Sequence, residues 1–494
     1  MASELSKKFA QPFTRSSQRV ANNLGIVAGT SVKGTVRKVR RDDLKTLQDY
    51  YDSKQYDSLI GWEEAAAQSC AGDHVPVRKR KPRLIMPLPK LVCSRIASKL
   101  VGEQNFPELS IEDSPEDTAF IKALVKSAKL QSRLQEPLRK TLALGSAFAR
   151  FAFKDGAFTF EQYSSNYCYP EFDPAGQLLA VRIQYVYADP AELDEKGKPR
   201  EKWFRMDLGR ETDIMYDSPN YSSTSEPQFQ VVESVTHNLG FVQGTWFRTM
   251  EDLHSPDGFS LYADGRDFCD SINYSLSQSD VAVSYNQDPQ LVIKGMDSEE
   301  MDTLMRSAAK AWNLGRDGEA SLLESSLSGV EKAIELRDKV GLAFQHMTRV
   351  IMMDPEKMVA HAQSGEALKV LHGPMVDLVH ELRPMIEASI NELILKIAIT
   401  TLVLNQRGEQ TFMVIPPGYK PQSLDISATW PPVFALTMED MQKKLSLGIQ
   451  ASNASVVSRE FVLRWMAKDF GIDDIETELA KIAAQPVLNP FGAF

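Results

Sequence analysis

The sequence predicts an α+β fold, and three observations predict it. Apolar residues recur at spacings of three and four between residue 42 and about residue 147. The period switches to two from Phe148 to Phe247, and helical spacing then returns over 262–288, 329–351 and 364–404. With 494 residues, 43% of them hydrophobic and 25% charged, the chain has the material for several domains and a sizeable core.

In chain order, residues 1–35 carry scattered Ser, Gly and Lys with no sustained period and read as a poorly ordered arm. Residues 42–60, DDLKTLQDYYDSKQYDSLI, read as a helix and a tyrosine-rich turn. The basic run Arg78, Lys79, Arg80, Lys81 and Arg83 is either a solvated loop or a patch facing nucleic acid or an acidic partner. PLPKLVCSRIASKLVGE places Leu91, Ile96 and Leu100 on one side of an amphipathic helix, and residues 115–147 fit a further helix pair. In FARFAFKDGAFTFEQY, Asp155-Gly156 between alternating segments signals a hairpin. Val181, Ile183, Tyr185 and Tyr187 alternate with polar neighbours, and further strands fit 202–208 and 230–236.

Helix returns over 262–288, with Phe268, Ile272, Leu276 and Val283 on one face. Gln290–Lys294 reads as a short strand, Asp297 with Glu300 as the capping box of a helix to Trp312, and Ala320–Glu324 as a strand pairing back. Residues 329–351 form a second helix, aligning Leu336, Val340, Phe344, Met347 and Ile351. Residues 352–363 break the pattern. A helix of about 40 residues, Ser364 to Leu404, then follows and would reach roughly 60 Å. Leu368, Leu371, Met375, Leu378, Leu382 and Met385 share one face of it, and after Pro384 the stripe moves over to Ile386, Ile390, Leu393 and Ile397. Each proline removes a donor and crowds the carbonyl four residues back, so a kink is expected near Gly373-Pro374 and again at Pro384. Glu381, Arg383, Glu387, Glu392 and Lys396 keep every apolar run shorter than the ~20 residues of a membrane span. Strands TFMVI and SLDISATW come next, then three helices: Thr437 to a stop at Gly448, Ser455 to Gly471, and Asp473 to Ala484.

The charge is uneven. The first 99 residues carry 19 Lys and Arg against nine Asp and Glu, whereas the whole chain carries 56 against 66. An acidic body argues against gripping nucleic acid over most of the surface, and suits a surface that nucleic acid passes without sticking. Cysteines 70, 93, 168 and 269 show no CxxC spacing, which favours free thiols in a reducing compartment. MASELSKKFAQPF lacks the apolar core of a signal peptide, so synthesis in the cytosol is expected.

Residues for catalysis are not in evidence. GIVAGTSVKGT lacks the Gly-Lys-Ser/Thr of a phosphate loop, and His380-Glu381 has no second histidine four residues on. No Gly-x-Ser-x-Gly elbow is present. The acidic pairs Asp42-Asp43, Glu299-Glu300 and Asp473-Asp474 lie at helix starts, where the helix dipole accounts for them. No enzyme, cofactor or metal site is expected.

Three stretches carry a resemblance. HNLGFVQGTWF at 237–247 with Asp257-Gly258-Phe259-Ser260, SGEALKVLHGPM at 364–375, and ISATWPPVFALTMEDMQKKLSLGIQASNASVVS at 426–458 occur in an order that resembles the portal proteins of tailed bacteriophages. The likeness covers roughly residues 42–485. It implies a portal fold with wing, stem, clip and crown domains, a long kinked tunnel helix and a ring oligomer. By it residues 1–35 are an arm, 36–261 the wing, 262–288 and 329–351 the stem helices and 289–328 the clip. Residues 352–363 are then the tunnel loop, 364–435 the tunnel helix and wing strands, 436–485 the crown and 486–494 a tail.

The resemblance further implies a dodecamer at one capsid vertex that passes double-stranded DNA during packaging and ejection. Its partners would be the terminase large subunit, major capsid and scaffolding proteins, and head-to-tail adaptor proteins, in the virion and, during assembly, in the host cytoplasm. Met352, Met353, Lys357, Met358 and His361 would reach the channel, where only Lys357 and protonated His361 could touch phosphate. A ring needs one patch to meet a different patch on the neighbour, which suits a helix whose stripe extends beyond one face. The rival readings are another ring or adaptor component of a virion and a nucleic-acid-processing enzyme. The enzyme would need clustered acidic metal ligands or a nucleophile with its base.

Overall fold

The computed structural model describes residues 30–70, 72–112, 114–154, 157–193, 197–218, 228–250, 255–287, 290–294, 319–323, 328–352, 372–415, 419–422, 424–434, 438–467 and 475–484. Helix α1 (Thr30–Tyr51) reaches back into the stretch expected to be an arm. Strand β1 (Ile60–Gly61), helix α2 (Trp62–Cys70) and strand β2 (Arg80–Lys81) form a small lobe with its own apolar contacts, Tyr56, Trp62 and Tyr274.

Helix α3 (Leu88–Val101) buries Val92, Cys93, Ile96, Ala97 and Leu100. Leu91, expected on that face, is exposed, because five residues on a helix turn it about 140° away from Ile96. Strand β3 (Glu108–Ile111) leads to the predicted helices, α4 (Pro115–Ser127), α5 (Leu130–Arg133) and α6 (Gln135–Leu144). Ser114 caps α4 by accepting from the Asp117 amide, with Pro115 in the first turn.

Two antiparallel sheets follow. Strands β4 (Ser146–Lys154) and β5 (Ala157–Ser164) form the expected hairpin, its Asp155-Gly156 turn lying outside the described residues. β6 (Cys168–Phe172), β7 (Leu178–Leu193), β8 (Pro199–Leu208), β9 (Thr212–Ser218) and β10 (Gln230–Thr236) make a five-stranded sheet in the order β10-β9-β8-β7-β6. β11 (Gly244–Arg248) pairs back onto β4. Cys168, Val181, Ile183, Met206 and Leu208 of the larger sheet pack on Phe148 and Trp246 of the smaller one and on Val242, which precedes β11.

Helix α7 (Arg266–Gln287), strands β12 (Gln290–Lys294) and β13 (Glu319–Leu323), and helix α8 (Ser328–Thr348) form a helix, ribbon, helix unit. The helix expected between the two strands lies outside the described residues. Phe344 and Ile272 are buried, but Val283, Leu336 and Met347 are exposed. A pair of helices covers only a narrow stripe of each, so the expected apolar faces stay partly wet.

Helix α9 (Gly373–Gln406) begins at Gly373, with His372 as its N-cap residue and Pro374 in its first turn. The expected kink at Gly373-Pro374 is therefore a helix start, where the missing proline amide costs nothing. Residues 364–371 lie outside the described residues. The helix runs on through Pro384, and Met375, Leu378, Leu382, Ile386, Ile390, Leu393 and Ile397 are all buried, against α3, α4 and β11. TFMVI is not a strand: Thr411 Oγ1 donates to the Met413 carbonyl at 2.7 Å, and Val414 is 93% exposed. β14 (Ile426–Thr429) pairs with β3 as an antiparallel strand. Helix α10 (Met438–Asn453) continues past the expected stop at Gly448, and the glycine serves packing instead, since a Cβ there would lie 2.8 Å from Val462 of the next helix. That helix, α11 (Arg459–Met466), starts later than expected, at the N-cap Ser458, and α12 (Ile475–Ala484) closes the described chain.

Candidate functional site

The segment expected to face the channel leaves α8 and rejoins the chain at α9, and both anchor points are well defined. Arg349 ends α8 in the left-handed region (φ 54°), with the Arg349 amide donating to His346 and the Val350 amide to Gln345. That paired arrangement closes a helix and normally uses glycine. The arginine side chain has another task here: it pairs with Glu381 of α9 at 2.6 Å. Beyond it Val350 is fully buried, the Ile351 carbonyl accepts from Arg95 of α3, and the Met352 amide donates to Gln345 Oε1 at 2.9 Å.

The returning end is held by the same helix. His372 is 4% exposed, its ring lies 5.2 Å from that of Phe434, and neither ring nitrogen has a hydrogen-bond partner. Burial, then Lys99, then Arg95, push its pKa below the ordinary 6.5, so the ring is neutral near pH 7. Lys99, one turn on from Arg95, sits 4.3 Å from the Phe434 ring and donates to the Val433 carbonyl. Arg383 donates to the Pro431 carbonyl at 2.8 Å and stacks on Trp430, whose indole N–H donates to Glu387 at 2.6 Å. Residues 430–434 thus lie as a strap across α9, bound by cation–π contacts and backbone carbonyls.

Of the predicted channel residues, Met352 is described and half-buried at the departing anchor. Met353, Lys357, Met358 and His361 lie outside the described residues. Gly373 and Pro374 open α9, and Pro384 lies inside it, one residue beyond Arg383. The basic run is more engaged than a solvated loop. Arg78 stacks on Tyr274, Arg80 stacks on Trp62 and donates to Val75, Lys81 pairs with Asp57, and Arg83 pairs with Glu63 and Asp280. Arg78–Tyr274 and Arg83–Asp280 fasten the small lobe to α7, and the other contacts lie within the lobe.

The Asp257-Gly258 motif has a structural task as well. Asp257 accepts two bonds from Arg40, at 2.6 and 2.8 Å, and one from Ser146, joining α1 to the start of β4. Gly258 lies against Gly145, which has φ +85° and where a Cβ would fall 2.0 Å from the Gly258 carbonyl oxygen. Arg40, Arg95, Lys99 and Arg349 escaped the sequence reading, and Glu381 entered it only as a charge that interrupts an apolar run. Their partners are tens to hundreds of residues away, and no local pattern marks such pairs.

Among the described residues no cluster of His, Cys, Asp and Glu could hold a metal ion, and no helix is long and apolar enough to cross a membrane. Cys93, Cys168 and Cys269 are free and buried, and burial pushes the Cys269 thiol up to about 12, away from reactive thiolate.

A family model described as phage portal protein, SPP1 Gp6-like, matches residues 33–486. The chain belongs to this portal protein family. Portal proteins are structural components of bacteriophage virions and not a family of enzymes, which accords with the mixed helix and sheet fold and the structural contacts above. A solved chain from "Virion of native gene transfer agent (GTA) particle" is similar at 11% identity and a TM-score of 0.39, covering 77% of this portal chain and 88% of that chain. No curated protein matches the chain.

Proposed function

We propose that copies of this portal chain close into a ring, a dodecamer in the mature particle, at one vertex of the capsid. Double-stranded DNA passes through the ring during packaging and ejection. The observation that carries this reading is the family match across residues 33–486. In this reading residues 36–261 are the wing, α7 and α8 the stem, 289–328 the clip, 364–435 the tunnel helix with wing strands, and 436–485 the crown. The clip docks the terminase large subunit during packaging and head-to-tail adaptor proteins afterwards, while the wing meets major capsid and scaffolding proteins. Assembly takes place in the host cytoplasm.

Residues 352–363 form the channel loop, held at its departing end by Arg95 and Gln345 and, past the start of the tunnel helix, by the packing of His372. Met352, Met353 and Met358 present soft apolar side chains to the duplex, and Lys357 and, when protonated, His361 are the loop's cations. Few phosphate contacts mean little drag on moving DNA. The basic run at 78–83 is committed in large part to its own lobe, leaving Lys79 as its least engaged cation.

Electron microscopy of the purified chain tests the ring, which shows as annuli with a central hole. Lys357→Glu tests the loop: the DNA packaged per particle is expected to fall. Unchanged packaging contradicts a phosphate contact at Lys357 and leaves the ring untouched.

A further inference from the structure

The returning anchor of the channel loop is built round a histidine that has nothing to bond. His372 is 4% exposed, and among the described residues neither of its buried ring nitrogens has a hydrogen-bond partner. Its ring lies 5.2 Å from that of Phe434 in the strap. Among the described residues the charges that act on it are Lys99 and Arg95, both on α3 and both positive. Residues 430–434, WPPVF, add no titratable group, and the first ones along α9 are the exposed Asp377 and His380. As the N-cap residue, His372 also sits at the positive end of α9. A neutral imidazole is tolerated in such a place and an imidazolium is not, since a buried cation needs an acceptor.

The same two cations hold the loop's ends. Arg95 donates to the Ile351 carbonyl at the departing end. Lys99 donates to the Val433 carbonyl at 3.3 Å and lies 4.3 Å from the Phe434 ring. A positive charge on His372 therefore presses on the groups that fasten the strap. The backbone cap need not break with it, because the His372 carbonyl accepts from the Met375 and Val376 amides, both at 3.0 Å. What can leave is the side chain and, with it, the strap.

We propose that acid unfastens this anchor: a proton on His372 turns the ring out from beside Phe434, and residues 430–434 lift from the start of α9. The inference rests on the reading of 352–363 as the channel loop, and gives the returning end of that loop a pH-sensitive hold. The sign follows from where the proton binds. The opened histidine takes it up near the ordinary 6.5, and the closed one only at lower pH. The ratio of open to closed is therefore level above about 6.5 and grows on acidification below it, by up to about tenfold per pH unit.

Amide hydrogen exchange of the full-length chain from about pH 7.5 to about pH 5, corrected for the intrinsic pH dependence of exchange, tests the anchor. Protection over 372–382 and 426–434 is expected to fall by up to about tenfold per unit below about 6.5, while β7 and β8 keep theirs. His372→Phe keeps an aromatic ring beside Phe434, and His372→Gln keeps a polar side chain. Neither can take the proton, so both are expected to give a flat profile. Protection in the unmodified chain that does not change with pH overturns the proposal, as does an equal acid response in either variant. A loss spread evenly over the whole chain overturns it too, because that is global unfolding and not release of an anchor. The measurement needs no ring: a flat profile leaves the ring reading standing, and a chain that never assembles can still release its strap.

Discussion

Asp257 illustrates how much of this fold hangs on single side chains. It is the carboxylate for Arg40, and both are largely buried, with side-chain exposures of 7% and 15%. Removing one partner leaves the other charge without compensation, so Asp257→Asn is expected to cost about 3 kcal/mol, read from urea unfolding. A shift near zero would mean that water replaces the pair without loss. His372 makes a pH prediction. Its pKa is held below 6.5 in the folded chain, so the unfolded chain takes up the proton first as the pH falls. The stability associated with a neutral His372 is complete above about 6.5 and is lost on acidification through the window beneath it. His372→Phe is expected to flatten that part of the stability profile. An unchanged slope would place the acid sensitivity elsewhere. In the sequence His372 is only one letter of SGEALKVLHGPM, since its burial among Phe434, Lys99 and Arg95 is set by residues far along the chain.

At the scale of elements, the sequence was most informative where the spacing was long and regular. The strands around Val181 and Ile183 and the stripe from Met375 to Ile397 appear where periodicity put them, and the ribbon partner of 290–294, expected at 320–324, lies at Glu319–Leu323. It misled where position round the helix or tertiary packing decides. Leu91 is a turn error, Gly448 is a packing residue within a helix, and Pro374 starts a helix. TFMVI has strand-like residues, but Phe412 packs on Phe153 and Phe158 and the segment takes no strand conformation. The α7–α8 pair depends on few buried side chains, with Phe344 the largest of them in α8. Phe344→Ala is therefore expected to cost about 3–5 kcal/mol and to raise amide exchange in both helices. A loss confined to α8, with α7 still protected, would show that the two do not form one unit.

For the whole molecule, the portal family was legible in the order of short motifs more than in any one of them. HNLGFVQGTWF and Asp257-Gly258 prove to be joints: His237 and Asn238 follow the edge strand β10, and Asp257 ties α1 to β4. What the sequence could not mark is how the loop's ends are held, because Arg95 meets Ile351 across 256 residues. The exposed apolar residues on α8, α10 and α11, among them Leu336, Leu342, Leu447, Phe461 and Trp465, accord with a chain whose neighbours are copies of itself. The mass of the assembled chain in solution tests this most directly. Sedimentation velocity or mass photometry of the purified protein is expected to show a closed species of twelve times 55.3 kDa, or of a nearby multiple outside the particle. A single species at 55.3 kDa across all concentrations and salts would contradict the ring.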